Sequence, residues 1–254
     1  MKVTFLGTGT SSGVPVLTCC CEVCQSLDFR DKRTRVSVHV EVDNLSLIID
    51  TGPDFRAQAL KASIQNIDAV LFTHEHKDHT AGLDDIRPYN YLYGHKSVPV
   101  YGRKQVLHQL KQEFHYAFTE EKYPGVPVIG LEVIENSPFK IIDTLIQPIE
   151  VMHHHLPVFG FRINDFTYIT DANFISEEEK KKIVGSKVLV LNALQIGKHI
   201  SHFNLEEAVE LAKELNIETT YFTHISHKLG RHSDISQNLP PNIKLAYDGL
   251  KIGL

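Results

Sequence analysis

Cysteine is absent from this 254-residue chain outside one short segment, because Cys19, Cys20, Cys21 and Cys24 all fall within six residues. A disulfide framework joins distant segments, so this distribution excludes one. The sequence also lacks a run of about 18 uncharged apolar residues, which is the signal for a membrane-spanning helix. It has no basic surplus either, with 26 Lys and Arg against 31 Asp and Glu and a formal net charge of −5. An acidic balance argues against a broad nucleic-acid-binding surface.

Linkers, internal repeats and low-complexity tracts are absent as well. We therefore expect one domain over residues 1–254, long enough to bury a substantial core. The segment 1–7 carries one lysine and a short apolar run, which is too short for a signal peptide. These absences predict a cytoplasmic protein with no membrane contact.

Histidine, in contrast, is abundant: the chain has 15 of them, as many as it has glycines. Imidazole is the commonest metal ligand in proteins and titrates near neutral pH. A chain rich in both histidine and carboxylates therefore favours metal chemistry before any motif is considered. The alternative is that some of these histidines are scattered on the surface.

The cysteine segment presents three thiolates on one tight loop, in the pattern Cys19-x-Cys21-x-x-Cys24. Three thiolates suit a tetrahedral Zn²⁺ site that a distant fourth ligand completes. The sequence therefore predicts a zinc-binding loop near residues 19–24. The alternative is a set of reduced thiols without a metal.

Short apolar runs alternate with amphipathic stretches along the chain, which is typical of an α/β fold. Strands are predicted over 2–6, 36–42, 45–49, 68–73, 98–101, 126–134, 145–151, 166–170, 187–191, 219–222 and 244–246. Helices are predicted over 54–62, 103–113, 177–184 and 205–215. The last helix has the clearest start, because Asn204 and Glu207 have the spacing of a capping box.

The strongest chemical signal directly follows the predicted buried strand 68–73. Four potential metal ligands fall within six residues there: His74, His76, Asp78 and His79. In a turn followed by a helix, the first two histidines can face one metal while Asp78 and His79 face a second. Imidazole and carboxylate together suit Zn²⁺, Mn²⁺ or Fe²⁺, and the ends of strands are where α/β proteins build their sites.

The His-x-His-x-Asp-His run resembles the signature of the metallo-β-lactamase superfamily. The resemblance implies a four-layer αβ/βα sandwich of two mixed β-sheets flanked by helices, with a metal site along one edge. It also implies three further ligands: His153 after a middle strand, with His154 as the alternative, then Asp171 as a carboxylate that bridges two metals, and His224 after a late strand. Asp50 matches the aspartate that orients a ligand imidazole in the family, or is an ordinary turn residue.

Further motifs resemble one branch of that superfamily, the phosphodiesterases that include phosphoribosyl 1,2-cyclic phosphate phosphodiesterase. They are the loop 7–15 (GTGTSSGVP), the cysteine segment, residues 224–227 (HISH) and residues 247–249 (YDG). The resemblance implies a structural zinc held by Cys19, Cys21, Cys24 and His227. Cys20 is then an extra thiol, unless a shift of one residue exchanges it with a neighbour. His227 has the alternative of being a surface or supporting residue beside His224.

The same branch implies a reaction and a general acid. Two divalent metals, Zn or Mn and also Fe, would give hydroxide that attacks the phosphorus of a small, cyclic phosphodiester. Asp78 and Asp171 would hold the metals, and His202 would protonate the leaving alkoxide. Alternatively, His202 caps a helix or packs in the core. His199 is its nearest competitor for the role of the acid.

Contacts to the substrate are harder to assign from the sequence. Arg33 or Arg35 and the loop 7–13 are candidates for phosphate contact, although the run 30–35 also reads as a solvated basic segment. The shape of the pocket is expected to depend on the loops 86–95 and 114–123. The expected partner is a small-molecule phosphodiester, with nucleic acid disfavoured. A homodimer is one assembly that the sequence allows, since relatives are often dimers.

Three other functions are compatible with these motifs. One is a tRNA 3′-processing endonuclease, although the sequence has no long insertion that would grip tRNA and is acidic. Another is an acyl hydrolase of the superfamily, such as a β-lactamase, thioesterase or lactonase. The third is a metal-stabilised binding protein without catalytic activity, which would leave the complete set of ligands unexplained.

Overall fold

Two β-sheets of seven strands each face one another in the computed structural model of this chain, which describes residues 1–92, 94–120, 123 and 125–254. The strands among these residues are Lys2–Gly7 (β1), Ser37–Val42 (β2), Leu45–Ile49 (β3), Ala69–Leu71 (β4), Val98–Gly102 (β5), Ile129–Val133 (β6), Phe139–Ile141 (β7), Thr144–His153 (β8), Leu156–Ile163 (β9), Phe166–Tyr168 (β10), Val188–Asn192 (β11), Thr219–Thr223 (β12), Ile243–Leu245 (β13) and Lys251–Gly253 (β14). The α-helices are Phe55–Ala62 (α1), Lys77–Thr80 (α2), Arg87–Leu92 (α3), Lys104–Glu113 (α4), Glu177–Ile183 (α5), Leu205–Leu215 (α6) and His232–Asn238 (α7).

Both sheets are mixed, and their parallel strands place their carboxyl ends at one edge. The first sheet has the order β14-β1-β2-β3-β4-β5-β6 and is parallel from β3 to β6. The second has the order β13-β12-β11-β10-β9-β8-β7 and is parallel from β13 to β10. Strand β8 runs in the same direction as β10, because β9 is antiparallel to both. The loops that follow β3, β4, β8, β10 and β12 therefore meet at one edge of the molecule.

Three apolar clusters stack the layers in the order helix, sheet, sheet, helix. The central cluster joins the two sheets, with Phe5 and Leu47 of the first sheet beside Phe161 and Tyr168 of the second, all fully buried. A second cluster packs α5 and α6 on the second sheet, and a third packs α1 and α4 on the first. The predicted four-layer αβ/βα architecture with two mixed sheets is confirmed.

Two of the described α-helices, α5 and α6, begin directly after a residue whose side chain caps them. Helix α6 starts with the predicted capping box, since the Asn204 side chain accepts a hydrogen bond from the Glu207 amide and the Glu207 side chain accepts one from the Asn204 amide. Helix α5 starts at Ser176, whose hydroxyl accepts from the Glu179 amide. None of the described helices is long and apolar enough to cross a lipid bilayer.

Several short elements were not predicted from the sequence: β7, β9, β14, α3 and α7. The helix expected after the histidine-rich turn is the single turn α2. Strand β9 returns along β8 after the two-residue turn at His154 and His155. The sequence pattern predicts no separate strand there. In the loops 86–95 and 114–123, Tyr93, Glu121 and Lys122 lie outside the described residues. One domain over residues 1–254 stays a prediction.

Candidate metal centre

The histidine-rich segment follows β4 at the edge where the two sheets meet. His74 and His76 lie in the loop after the strand, and the one-turn helix α2 carries Asp78 and His79. The turn is closed by hydrogen bonds from the His79 amide and the Thr80 hydroxyl to the His76 carbonyl. A short loop followed by a single helical turn therefore directs these four side chains toward the edge.

The first group of ligand atoms consists of His74, His76 and His153, which come within 4.8 Å of one another. His74 Nε2 lies 3.0 Å from His76 Nδ1. His153 ends β8 and donates from Nδ1 to the Ser201 carbonyl at 2.9 Å, which leaves Nε2 free for the group. Burial holds the pKa of His74 well below its usual value, so this imidazole is neutral, as a ligand must be.

His154, the alternative to His153, lies outside this group. Its ring is exposed and contacts the ring of His155 instead, at 3.7 Å between centroids. Its backbone has a φ of 57°, which turns the chain from β8 into β9. The register of the β8–β9 hairpin, with His153 opposite Leu156, determines which histidine faces the group.

The second group consists of Asp78, His79, Asp171 and His224. His79 Nε2 lies 3.3 Å from a carboxylate oxygen of Asp78 and 3.3 Å from one of Asp171, while His224 Nε2 lies 3.1 Å from the other Asp171 oxygen. Burial alone would raise the pKa of Asp171, but His224 and His79 hold it well below its usual value. The carboxylate is therefore ionised and available to a cation.

Asp171 lies close to both groups. Its carboxylate belongs to the second group and also converges with the ring atoms of His153 and His202. An ionised carboxylate in this position can contact one cation with each oxygen. This position is consistent with the predicted bridging role of Asp171, which stays a prediction.

Asp50 orients His79 through a hydrogen bond to the ring nitrogen that faces away from the second group. It follows β3 and accepts hydrogen bonds from the Thr73 amide at 2.9 Å, the Thr73 hydroxyl at 2.8 Å and His79 Nδ1 at 2.7 Å. Burial alone would lower the pKa of His79, but the three surrounding carboxylates raise it well above its usual value. Because Asp50 accepts a hydrogen bond from Nδ1–H, His79 presents Nε2 to the second group.

Three residues of this centre have a left-handed backbone. Asp50, Asp171 and His224 have φ values of 63°, 54° and 54°, a region that residues other than glycine rarely adopt. Each follows the end of a parallel strand and turns its side chain into the cleft between the sheets. Such conformations persist only where the surrounding structure holds them, and they concentrate at functional sites.

His202 lies against both groups. Its Nε2 is 3.0 Å from an Asp171 oxygen, its ring stacks on His224 at 4.8 Å between centroids, and it meets His153 edge-on at 4.6 Å. On the other side, Nδ1 lies 3.0 Å from the Ser201 hydroxyl and 3.2 Å from His199 Nδ1. Burial lowers the pKa of His202 to about 4. His199, the alternative acid, is exposed, and its contacts among the described residues are with His202 and Ser201.

The donor atoms fit divalent cations. Among the described residues, His79 Nε2 and both ring nitrogens of His224 are buried without a hydrogen-bond partner, which is costly for polar atoms unless something else binds them. The Nε2 atoms of His79 and His224 each lie near carboxylate oxygens of Asp78 and Asp171, at 3.1 to 3.8 Å. Converging imidazole and carboxylate atoms of this kind are suited to Zn²⁺, Mn²⁺ or Fe²⁺.

The three predicted cysteines converge on His227, at the far side of the loop that carries His224. The Sγ atoms of Cys19, Cys21 and Cys24 lie 3.3, 3.4 and 3.6 Å from His227 Nδ1. Tetrahedral Zn²⁺ with ordinary bond lengths separates a sulfur from a nitrogen by about 3.5 Å. The pKa of Cys21 is lowered to about 6, chiefly by a hydrogen bond from the Cys24 amide and secondly by the contact with His227. Cys20 is exposed and lies outside this group.

The two arginines proposed for phosphate contact have other partners. Arg33 is buried, and its guanidinium donates to the Thr8 hydroxyl and the Ala246 carbonyl. Arg35 is half-buried and pairs with Asp54 at 3.1 Å. No local signal in the sequence separates the buried Arg33 from its half-buried neighbour Arg30, because the partners of Arg33 are distant along the chain.

The fold and the centre are shared with a known protein family. Residues 46–225 match the family model described as the beta-lactamase superfamily domain. The chain therefore belongs to the β-lactamase superfamily, and the prediction of a metallo-β-lactamase-fold hydrolase is confirmed. A fold of this family, together with the converging His and Asp atoms, implies divalent metals.

Within the superfamily, the chain belongs to the PhnP family. It is 37% identical to a crystal structure titled as a new diphosphatase of that family, with a TM-score of 0.93, and the match covers 100% of this chain and 97% of the other. The predicted resemblance to the phosphodiesterase branch is confirmed.

Two further relatives carry different names. A protein named octanoyltransferase from Porphyromonas gingivalis is 39% identical over 254 residues, which are 99% of this chain but only 51% of that protein. The chain thus spans about half the length of this relative. A ribonuclease Z from Methanopyrus kandleri is 24% identical over 87% of this chain and 91% of its own length.

Proposed function

We propose that the protein is a metal-dependent phosphodiesterase that hydrolyses a small, cyclic phosphodiester such as phosphoribosyl 1,2-cyclic phosphate. The observation that carries the proposal is the pairing of two ligand groups around Asp171, with His202 at their margin. The full-length similarity to a PhnP-family diphosphatase supports phosphate as the reacting group.

Two cations would be held by this chain's own side chains. His74, His76 and His153 would bind one, Asp78, His79 and His224 the other, and Asp171 both. When bound, such cations supply positive charge for the phosphate oxygens and make water more acidic. Asp50 fixes the tautomer of His79 so that Nε2 faces the cation. We also propose that Cys19, Cys21, Cys24 and His227 hold a structural zinc.

His202 would provide the proton for the leaving oxygen. Water adds to phosphorus, one P–O ester bond breaks, and the departing alkoxide needs a proton to leave as an alcohol. The His202 ring borders the proposed metal ligands and is anchored through Nδ1 by Ser201 and His199. An anionic phosphate beside the ring favours the protonated imidazole, which opposes the effect of burial.

The octanoyltransferase relative supports a second candidate, hydrolysis of an acyl ester or thioester. That relative is about twice as long as the region that this chain matches. Its named activity is therefore not assigned to the matched region. The ribonuclease Z relative supports a third, cleavage of precursor tRNA. The net charge of −5 favours a small substrate over tRNA.

A panel of substrates tests these candidates. The reconstituted protein is offered a ribose 1,2-cyclic phosphate, a linear phosphodiester, a nucleoside diphosphate, precursor tRNA, an octanoyl thioester and a lactone. Asp78→Asn serves as the variant that weakens the second cation site, and Asp234→Asn, on exposed helix α7, serves as the matched control.

We expect fastest turnover of the cyclic phosphodiester by the native chain and by Asp234→Asn, and a large loss of turnover in Asp78→Asn. Preference for the thioester or for precursor tRNA would overturn the proposed substrate class. Two bound cations without turnover of any substrate would instead favour a binding protein. The predicted homodimer and cytoplasmic location remain proposals beside this one.

A further inference from the structure

The backbone at His224 is held in its left-handed conformation by a segment far away in the sequence. The next residue, Ile225, donates its amide to the Thr8 carbonyl at 2.9 Å, and its carbonyl accepts from the Thr10 amide at 3.3 Å. Gly9 and Ile225 form a parallel bridge between the two segments. His224 directly precedes this bridge, so one residue separates its backbone from the hydrogen bonds to the Thr8 segment.

Thr8 is itself fixed through its side chain. Its hydroxyl accepts a hydrogen bond from Arg33 Nη1 at 2.8 Å and donates one to the Asp248 carboxylate at 2.7 Å. The residue is fully buried, and the hydroxyl lies between a cationic and an anionic group. Hydrogen bonds to charged groups are the stronger kind, so this hydroxyl holds Thr8 in one orientation.

The two partners of the hydroxyl are anchored in turn. Arg33 also donates to the Ala246 carbonyl at 2.6 Å, and its Nη2 lies 3.2 Å from His232 Nδ1. Asp248 accepts from both the amide and the hydroxyl of Thr34, each at 2.7 Å. The network therefore connects the segment that follows the cysteine loop, the carboxyl-terminal region and the loop 7–13.

We propose that Thr8 is a positioning residue for His224: its hydroxyl, fixed by Arg33 and Asp248, orients the Thr8 carbonyl that holds the backbone beside the ligand. The inference rests on the proposed function, because it assigns His224 to the second cation. It predicts that Thr8 affects the second cation site and not the site of His74, His76 and His153. Those three residues lie on segments that Thr8 does not touch by hydrogen bonds among the described residues.

The chain offers a matched set of variants. Thr8→Val removes the hydroxyl with little change in shape, and Thr8→Ser restores it. Thr220→Val is the control, since Thr220 is also fully buried, lies on β12 before His224, and its hydroxyl has no hydrogen-bond partner among the described residues. The same atoms are removed in both valine variants, but only Thr8→Val breaks the network.

Each protein is first given Zn²⁺ for the cysteine group and is then titrated with Co²⁺, whose visible absorption reports binding to His and Asp ligands. We expect two Co²⁺ per native chain. We expect Thr8→Val to lower the affinity for the second Co²⁺ ion by about 10-fold, the lower end of the range for residues that orient ligands. The affinity for the first ion should be unchanged. Thr8→Ser and Thr220→Val should both retain native affinity.

Equal affinities in Thr8→Val and native protein would overturn the positioning role, as would an equal loss at both ions. If Thr8→Val does not fold, Asp248→Asn provides the test, because it keeps the shape of the side chain and weakens one charged hydrogen bond to the Thr8 hydroxyl. We again expect a selective loss of affinity for the second ion. Unchanged affinity for that ion in Asp248→Asn would overturn the inference. A native chain that binds no Co²⁺ would overturn the proposed function itself, and a native chain with two ions but no effect in the variants would overturn only the role of Thr8.

Discussion

His153 and His154 are adjacent in sequence but differ in what they can bind. His153 meets His74 and His76, whereas His154 is exposed beside His155. His153→Ala should therefore lower the metal content by about one ion per chain, while His154→Ala should leave it unchanged. Metal analysis of the two purified variants checks this. Loss of the ion in His154→Ala instead would show that the β8–β9 turn has a different register.

His202 is the residue on which the proposed proton transfer depends. We expect His202→Ala to lower kcat by about 10²–10⁴-fold, the range for a positioned general acid. His108→Ala, an exposed histidine on α4, is the matched control and should retain native turnover. Both variants should keep their metals, measured in the same samples. Native turnover in His202→Ala would remove the residue from the mechanism.

Ligands close together in sequence could be predicted, because spacing alone shows that His74, His76, Asp78 and His79 share one turn. Thr8 and Arg33 could not be assigned in this way. A basic run predicts solvation for every member, and burial of Arg33 alone follows from Thr8, Ala246 and His232, which are near it only in the folded chain. Physical contact across long sequence separations carries no local signal.

At the scale of elements, the cysteine loop is a small unit with its own apolar support. Val14 and Val23 pack with Cys24 in a separate cluster beside the main core. Cys21→Ser should lower the tightly bound zinc below one ion per chain, because Cys21 Sγ lies 3.4 Å from His227 Nδ1. Cys20→Ser is the matched control, since this thiol is exposed and outside the group. Zinc loss in Cys20→Ser, with full retention in Cys21→Ser, would reverse the assignment.

Helix α6 tests how local sequence stabilises the region that carries His202. Asn204 caps the helix two residues after His202 and is buried. Asn204→Ala should lower the free energy of unfolding by about 1 kcal/mol, whereas Asn204→Asp keeps an acceptor and should remain close to native. Chemical denaturation measures both. Equal stability of all three proteins would show that the cap contributes nothing.

The elements that could be predicted are those with strong local patterns. The capping box located α6 from Leu205 to Leu215, as predicted. Strands β7 and β14 have only three residues each and depend on their neighbours, since β14 exists by pairing with β1. The one-turn helix α2 is too short for a helical period to be detected. Short elements of this kind are defined by tertiary contacts and not by propensity.

At the scale of the whole molecule, the two sheets bring together residues from distant parts of the chain. Asp50 and His74 follow strands of the first sheet. In the second sheet, His153 is the last residue of β8, and Asp171 and His224 follow β10 and β12. The family resemblance predicted this meeting point, but the sequence pattern alone predicted only that strand ends carry ligands. The central core between the sheets fixes the distance between the two halves of the centre.

The count of metal ions per folded chain tests the central claim most directly. The claim is that two His and Asp groups form a centre for two cations beside a separate zinc held by three cysteines and His227. Protein reconstituted with Zn²⁺ and Mn²⁺, freed of excess metal and analysed by mass spectrometry, should contain about three ions per chain, with one zinc that resists removal by a chelator. Fewer than one ion per chain beyond that zinc would contradict the account.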